Sequence, residues 1–242
     1  MTTTAPTTAI PRRAPMDPLR KTSLAAGVLY VLTFVSIPTL ALYGAVKSPG
    51  YLTGPGPDTS ALLGGALETV VALAGIGTAV VLYPVVKRQN QSVALAFVGT
   101  RVLEAATIFA GIASLLTIVT LRQAGAGAEA SGVAQALVAQ YDWLFRLGQS
   151  TIPAANALLL GSLLYRSGLV PRILPLIGLI GAPILVLSNV AVVLGLWGQV
   201  SATAAIAALP IAAWEFSLGV YLIVKGFRPS PITAARSTGE LR

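Results

Sequence analysis

ALLGGALETVVALAGIGTAVVLYPVV, residues 61–86, carries a single acid, Glu68, and no base. At 1.5 Å per residue a helix of this length exceeds the ~30 Å hydrocarbon core of a bilayer. Backbone groups in lipid must be satisfied within the segment, and the run lacks the alternation of a half-buried strand, so it reads as a membrane-spanning helix. Five similar runs accompany it, at 23–46, 92–121, 141–165, 173–198 and 201–224. The expected fold class is therefore all-α, a six-helix transmembrane bundle. The link at 198–201 is so short that the last two spans must form an antiparallel hairpin. Residues 47–60 (KSPGYLTGPGPDTS) read as a Pro/Gly turn region, and 125–140 as a small-residue loop running into an extension of the fourth span.

The composition of the whole chain agrees. Of 242 residues, 55% are hydrophobic and 10% charged, with a mean hydropathy of +0.80. An ordinary soluble domain has roughly 25% charged residues, and eight acids with sixteen bases cannot cover a soluble globule of this size. Cysteine and histidine are absent, and the two methionines, Met1 and Met16, lie in the N-terminal tail. Disulfides, zinc sites, iron–sulfur clusters, haem ligation and Ser-His-Asp or Cys-His catalysis all lack their parts. No metal and no cofactor are expected.

Residues 1–22 are Thr/Pro/Ala-rich and basic and read as a disordered cytoplasmic tail, 23–227 as the membrane domain, and 228–242 as a second short cytoplasmic tail. The first apolar run is longer than the ~7–15 residues of a signal-peptide core. Twelve of the sixteen bases fall on one side of the expected membrane: Arg12, Arg13, Arg20, Lys21, Lys87, Arg88, Arg166, Arg172, Lys225, Arg228, Arg236 and Arg242. Positive-inside bias puts both termini in the cytoplasm of a multi-pass plasma or inner-membrane protein. The net charge of +8 follows from this asymmetry. Nucleic acid is excluded as a partner, since short loops supply no folded basic surface; the bilayer and its anionic headgroups are the expected neighbours, with a second copy of the chain compatible with the pattern.

Ionisable residues within spans are costly and mark functional sites. Glu68 lies seven residues into the second span, ~10 Å from its start. Arg101 and Glu104 are i,i+3 neighbours on the third, and Glu215 lies near the middle of the sixth. In the fourth span Asp142, Arg146, Gln149, Pro153 and Asn156 follow a 4-3-4-3 spacing that draws one polar stripe along one helix face, with Asp142 and Arg146 placed as an acid-first i,i+4 pair. Gly64, Gly65, Ala72 and Gly75 around Glu68, and Ala208, Ala212 and Gly219 around Glu215, offer close approach to a neighbour. The four acids outnumber the two bases, and uncompensated buried carboxylates either hold a proton or bind a cation. Pro38, Pro153, Pro183 and Pro210 are placed to kink their helices, whereas Pro84 and Pro175, near span ends, read as ordinary membrane-helix prolines. Tyr30, Tyr43, Tyr83, Tyr165, Trp197 and Tyr221 read as interface anchors; Trp143 and Trp214, beside Asp142 and Glu215, read either as walls of a pocket or as core or belt packing.

Glu68, LYP at 82–84, Arg101 with Glu104, Asp142-Trp143, VPR at 170–172 and the final LP…E at 209–215 resemble the bacterial membrane-protein family known as domain of unknown function 4386, over about residues 20–227. That family often has a basic residue before the Asp-Trp pair, where this chain has Tyr141. The resemblance implies an integral membrane protein of about six helices and no stated activity.

Three functions fit these residues. The first is binding or transport of a proton, cation or small amphiphile by a buried cluster of Glu68, Arg101, Glu104, Asp142, Arg146, Gln149, Asn156 and Glu215. The second is a cofactor-free enzyme in which Glu68 and Glu215 act as acid and base on a lipophilic, polyprenyl-like substrate. The third is a non-catalytic membrane subunit, immunity or stress-response protein whose charges specify assembly.

Overall fold

A computed structural model describes residues 16–234. All regular structure among them is helical: α1 (Pro18–Leu32), a 3-10 stretch (Thr33–Ser36), α2 (Thr39–Leu42), α3 (Thr59–Val86), α4 (Gln91–Gln123), a 3-10 turn (Gly127–Ala130), α5 (Ser131–Leu147), α6 (Ile152–Ser167), α7 (Ile173–Val193), α8 (Ala202–Val224) and the short α9 (Pro231–Ala234). Five segments are long and apolar enough to cross a membrane: Pro18–Leu42, Thr59–Val86, Gln91–Gln123, Ile173–Val193 and Ala202–Val224.

Local chemistry sets the boundaries. Asn90 starts α4 by accepting a hydrogen bond from the Val93 amide (3.1 Å), and Ser201 does the same for α8 through Ala204 (3.2 Å). Gly168 ends α6 in the left-handed conformation, φ 66°. α1 begins at Pro18, so its first turn takes residues assigned above to the tail, and Arg20 donates to the carbonyls of Leu222 (2.9 Å) and Ile223 at the end of α8. Residues 1–15 of that tail lie outside the described residues. The α-helical path of the first span stops at Leu32. There Thr33, Ser36 and Thr39 hydroxyls donate back to carbonyls three residues earlier and Pro38 withholds an amide, which tightens and bends the chain.

The fourth expected span differs most from expectation. It is not one helix from 141 to 165 but two, α5 and α6, parted at Gly148–Thr151. Pro153 has no amide to offer the Gln149 carbonyl, and at the break the Ser150 amide donates to the Phe145 carbonyl (2.9 Å) while the Thr151 hydroxyl donates to the Arg146 carbonyl (2.7 Å). At Gly148 a Cβ would lie 2.0 Å from the Thr107 hydroxyl oxygen, so the chain presses onto α4 where only glycine fits. Together the two helices run antiparallel to α4. Tyr141 sits against Gly111, Gly148 against Thr107, and Asn156 against Thr100.

The packing order closes a ring: α1 on α3, α3 on α4, α4 on α5 and α6, α6 on α7, α7 on α8, and α8 back on α1. The last closure is intimate, because a Cβ on Gly27 would stand 2.6 Å from the Gly219 carbonyl oxygen. At the end holding the starts of α1, α4 and α7, the ring is filled by Tyr30, Leu82, Val86, Phe97, Leu160, Leu164, Leu218 and Leu222. Part of the expected C-terminal tail docks on this end: the Arg228 amide donates to the Leu169 carbonyl (2.8 Å) and Ser230 to the Ser167 carbonyl (2.5 Å). Towards the other end the centre is hollow.

Candidate functional site

The floor of the hollow is Arg101. α4 presents it opposite Gly75 of α3, which leaves room for the guanidinium. Arg101 is 3% exposed. Its Nη1 donates to Glu104 Oε2 (3.0 Å), its Nη2 to Glu215 Oε1 (2.7 Å) and to the Tyr30 hydroxyl (3.4 Å), while Nε has no partner. The rings of Tyr30 and Phe97 flank it at 5.4 and 5.7 Å from the guanidinium carbon. From α6, Asn156 Nδ2 donates to Glu104 Oε2 (2.8 Å), and its Oδ1 accepts from Thr100 (2.6 Å). One cation thus ties α4 to α8 and α1, and one amide ties α4 to α6.

Above this floor lies a cavity of about 540 Å³. Its walls are mainly apolar: Phe34, Ile37 and Leu40 from the bent first span, Val71 and Ala72 from α3, Ile108 from α4, Phe145 from α5, Leu185 from α7, and Ala208 and Ala212 from α8. Gln149, Ser150, Asn189 and Gln199 supply polar edges, with Gln149 and Ser150 exposed to the hollow by the α5–α6 break. Asn189 holds that break by donating to the Ser150 carbonyl, and Gln199 Nε2 donates to the Ser150 hydroxyl (3.2 Å).

Glu68 forms a second cluster. It is fully buried and accepts from the hydroxyls of Tyr43 (3.0 Å) and Tyr141 (3.2 Å) and from Gln149 Nε2 (3.4 Å). Gly64 makes this possible: a Cβ there would lie 2.5 Å from the Tyr43 ring, so glycine seats the tyrosine rather than another helix. Glu68 does not line the cavity but stands behind Gln149, which does.

The structure therefore sorts the expected site residues. Arg101, Glu104, Glu215 and Gln149 line one cavity, and Asn156 supports Glu104 from outside it. Glu68 and Glu215, paired above as an acid and base, belong to separate clusters. Asp142 and Arg146 do not pair with each other. Asp142 binds Lys47 (2.5 Å) beside a smaller cavity of about 190 Å³, and Arg146 Nε donates to Gln199 (2.7 Å) while its guanidinium lies over Trp143. Both lie in α5 and diverge because each finds a partner on another segment, Lys47 for Asp142 and Gln199 for Arg146; the break after Leu147 takes only Gln149, Pro153 and Asn156 off the single face that the 4-3-4-3 spacing assumed. Neither Trp143, which is half exposed, nor Trp214, which packs on Gly178, lines the cavity. Tyr30 and Tyr43 are buried hydrogen-bonding partners rather than interface anchors. Their roles escape a pattern reading because tyrosine near a span end has the same appearance in both settings. The pairing of Tyr30 with Gly27 and Ala26 at helical spacing is the one signal of burial.

An all-helical bundle with several bilayer-length apolar helices is a multi-pass integral membrane protein. The chain belongs to the family described as Domain of unknown function (DUF4386), whose model matches residues 25–226. No curated protein and no solved structure matches it.

Proposed function

We propose that the protein binds a small amphiphile in the central cavity, with the polar end of the ligand on the Arg101–Glu104–Glu215 floor and its apolar body along the walls. The observation that carries this reading is an apolar-walled hollow of about 540 Å³ ending on a buried charge cluster. That volume lies within the ~300–1,000 Å³ typical of small-molecule sites. The bend at Thr33–Ser36 supports entry from the bilayer. It carries the rest of the first span onto α3, and Ile37 and Leu40 at the cavity rim are 68% and 54% exposed. In this reading α5 and α6 together make a sixth crossing, both termini are cytoplasmic, and the membrane is the plasma or inner membrane. Binding serves transport of the amphiphile, with a proton or cation exchanged at the carboxylates.

Photolabelling with a diazirine-bearing octanol in lipid vesicles tests this. Label is expected on cavity residues such as Leu40 and Ala208 in excess of outward-facing Leu103 and Leu187. Equal labelling of all four would mean that the cavity holds no amphiphile.

A further inference from the structure

The charges on the cavity floor do not balance. Arg101 contributes +1, and Glu104 and Glu215 contribute −2 when both are ionised. No other ionisable side chain lines the cavity. α1 presents Tyr30, α3 presents Ala72 and Gly75, α5 presents Gln149, α6 supports the floor with Asn156, and α7 presents Asn189. Glu68 is held behind Gln149, and Arg146 is held outside by Gln199 and Trp143. A net negative charge in a desolvated site is unfavourable, so the two carboxylates require one further positive charge, from a shared proton or from a ligand. Both terminal nitrogens of Arg101 are committed, and an anionic headgroup would meet two carboxylates. Phe34 and Phe145 place aromatic rings in the wall, which favour a cation.

Building on the amphiphile reading, we propose that the ligand is a monocationic amphiphile, a protonated or quaternary amine on an apolar body, and that its ammonium group displaces one proton shared by Glu104 and Glu215. Binding is then a one-for-one exchange. A neutral amphiphile leaves the proton in place, and an anionic one is rejected.

Isothermal titration of the purified full chain in maltoside micelles, with octyltrimethylammonium or octanol and in two buffers of different ionisation enthalpy, counts protons. About one proton is expected to leave per cation bound and none per octanol. The Kd of the cation should rise towards tenfold per pH unit as pH falls through the range where the pair is protonated, with that of octanol unchanged. Glu215→Gln should abolish proton release and weaken the cation at least tenfold while octanol still binds, which also reports a folded cavity. Glu104→Gln carries the same expectation should the first variant not fold. Cation binding without proton release, or no tighter than octanol, overturns the exchange and leaves the amphiphile reading standing. Binding of neither ligand overturns both.

Discussion

Arg101 is held from several sides at once. It is sandwiched between two rings and ion-paired to carboxylates on two helices. Removing the charge while leaving those carboxylates buried is expected to destabilise strongly, so Arg101→Leu should lose ~3–5 kcal/mol. The hydrogen-bond partners of Glu68 are neutral, two tyrosines and a glutamine. Glu68→Gln keeps an acceptor for them and should shift stability by about 1 kcal/mol or less. Thermal unfolding in detergent separates the two, and equal losses would mean that Glu68 is held by charge and not by hydrogen bonds. Asp58, just before α3, behaves differently. Hydrogen bonds from Tyr51 and Gln123, followed by the Arg122 guanidinium, hold its carboxyl below the usual range. A depressed folded value means that the stabilisation is present above the ordinary carboxylate pKa of about 3.9 and is lost as pH falls through the lower folded value. The Tm gap between the parent protein and Asp58→Asn should accordingly be open at pH 7 and close below about pH 4. A gap that persists in acid would show that the links to Tyr51 and Gln123 do not depend on the charge.

How the helices are cut decides which of these side chains meet. The boundaries of α3, α4 and α8 fall within two residues of the apolar runs, because caps such as Asn90 and Ser201 and the change in hydropathy coincide. The fourth span was legible as an apolar run with a polar stripe but not as a broken helix. Its break depends on Gly148 meeting Thr107 of another helix, a contact between residues about forty positions apart in sequence. The same limit hid the floor. Glu104 near Arg101 was readable from i,i+3 spacing, whereas Glu215 on Arg101 and Tyr43 on Glu68 are tertiary contacts that no local period encodes. Gly148→Ala tests the break directly. The added methyl collides with the Thr107 hydroxyl, and a loss of ~1–3 kcal/mol is expected. Thr107→Gly in the same chain removes both the hydroxyl and the Cβ that would stand 2.6 Å from the added methyl, and should remove most of the penalty measured against Thr107→Gly alone. Failure of that second change to rescue would place the requirement for glycine at the Leu144 carbonyl, 2.8 Å from the added Cβ, rather than in the helix contact.

For the chain as a whole, six apolar runs become a closed ring only if α5 and α6 act as one crossing. Five segments are long and apolar enough to cross; the proposed sixth passage rests on two helices of seventeen and sixteen residues. Their path alongside α4, from Tyr141 at Gly111 to Asn156 at Thr100, runs in the opposite direction to α4. The far end of that path also returns to the base-rich end of the bundle. Ser167 and Leu169 are hydrogen-bonded to the segment after α8, and Arg88, between α3 and α4, donates to the Ile232 carbonyl (3.3 Å). Residues 88, 167 and 227 lie at one end of the bundle, which in the proposed topology is one side of the bilayer. Reporter fusions after Arg88, Ser167 and Phe227 should report the cytoplasm, and fusions after Val46 and Leu121 the opposite side. The Ser167 fusion is decisive. If α5 and α6 turned back without crossing, it would report the same side as Leu121, and the Phe227 fusion would change sides with it. That result would open the ring between α4 and α7, detach Asn156 from Glu104, and leave the cavity without the wall that α6 and α7 provide.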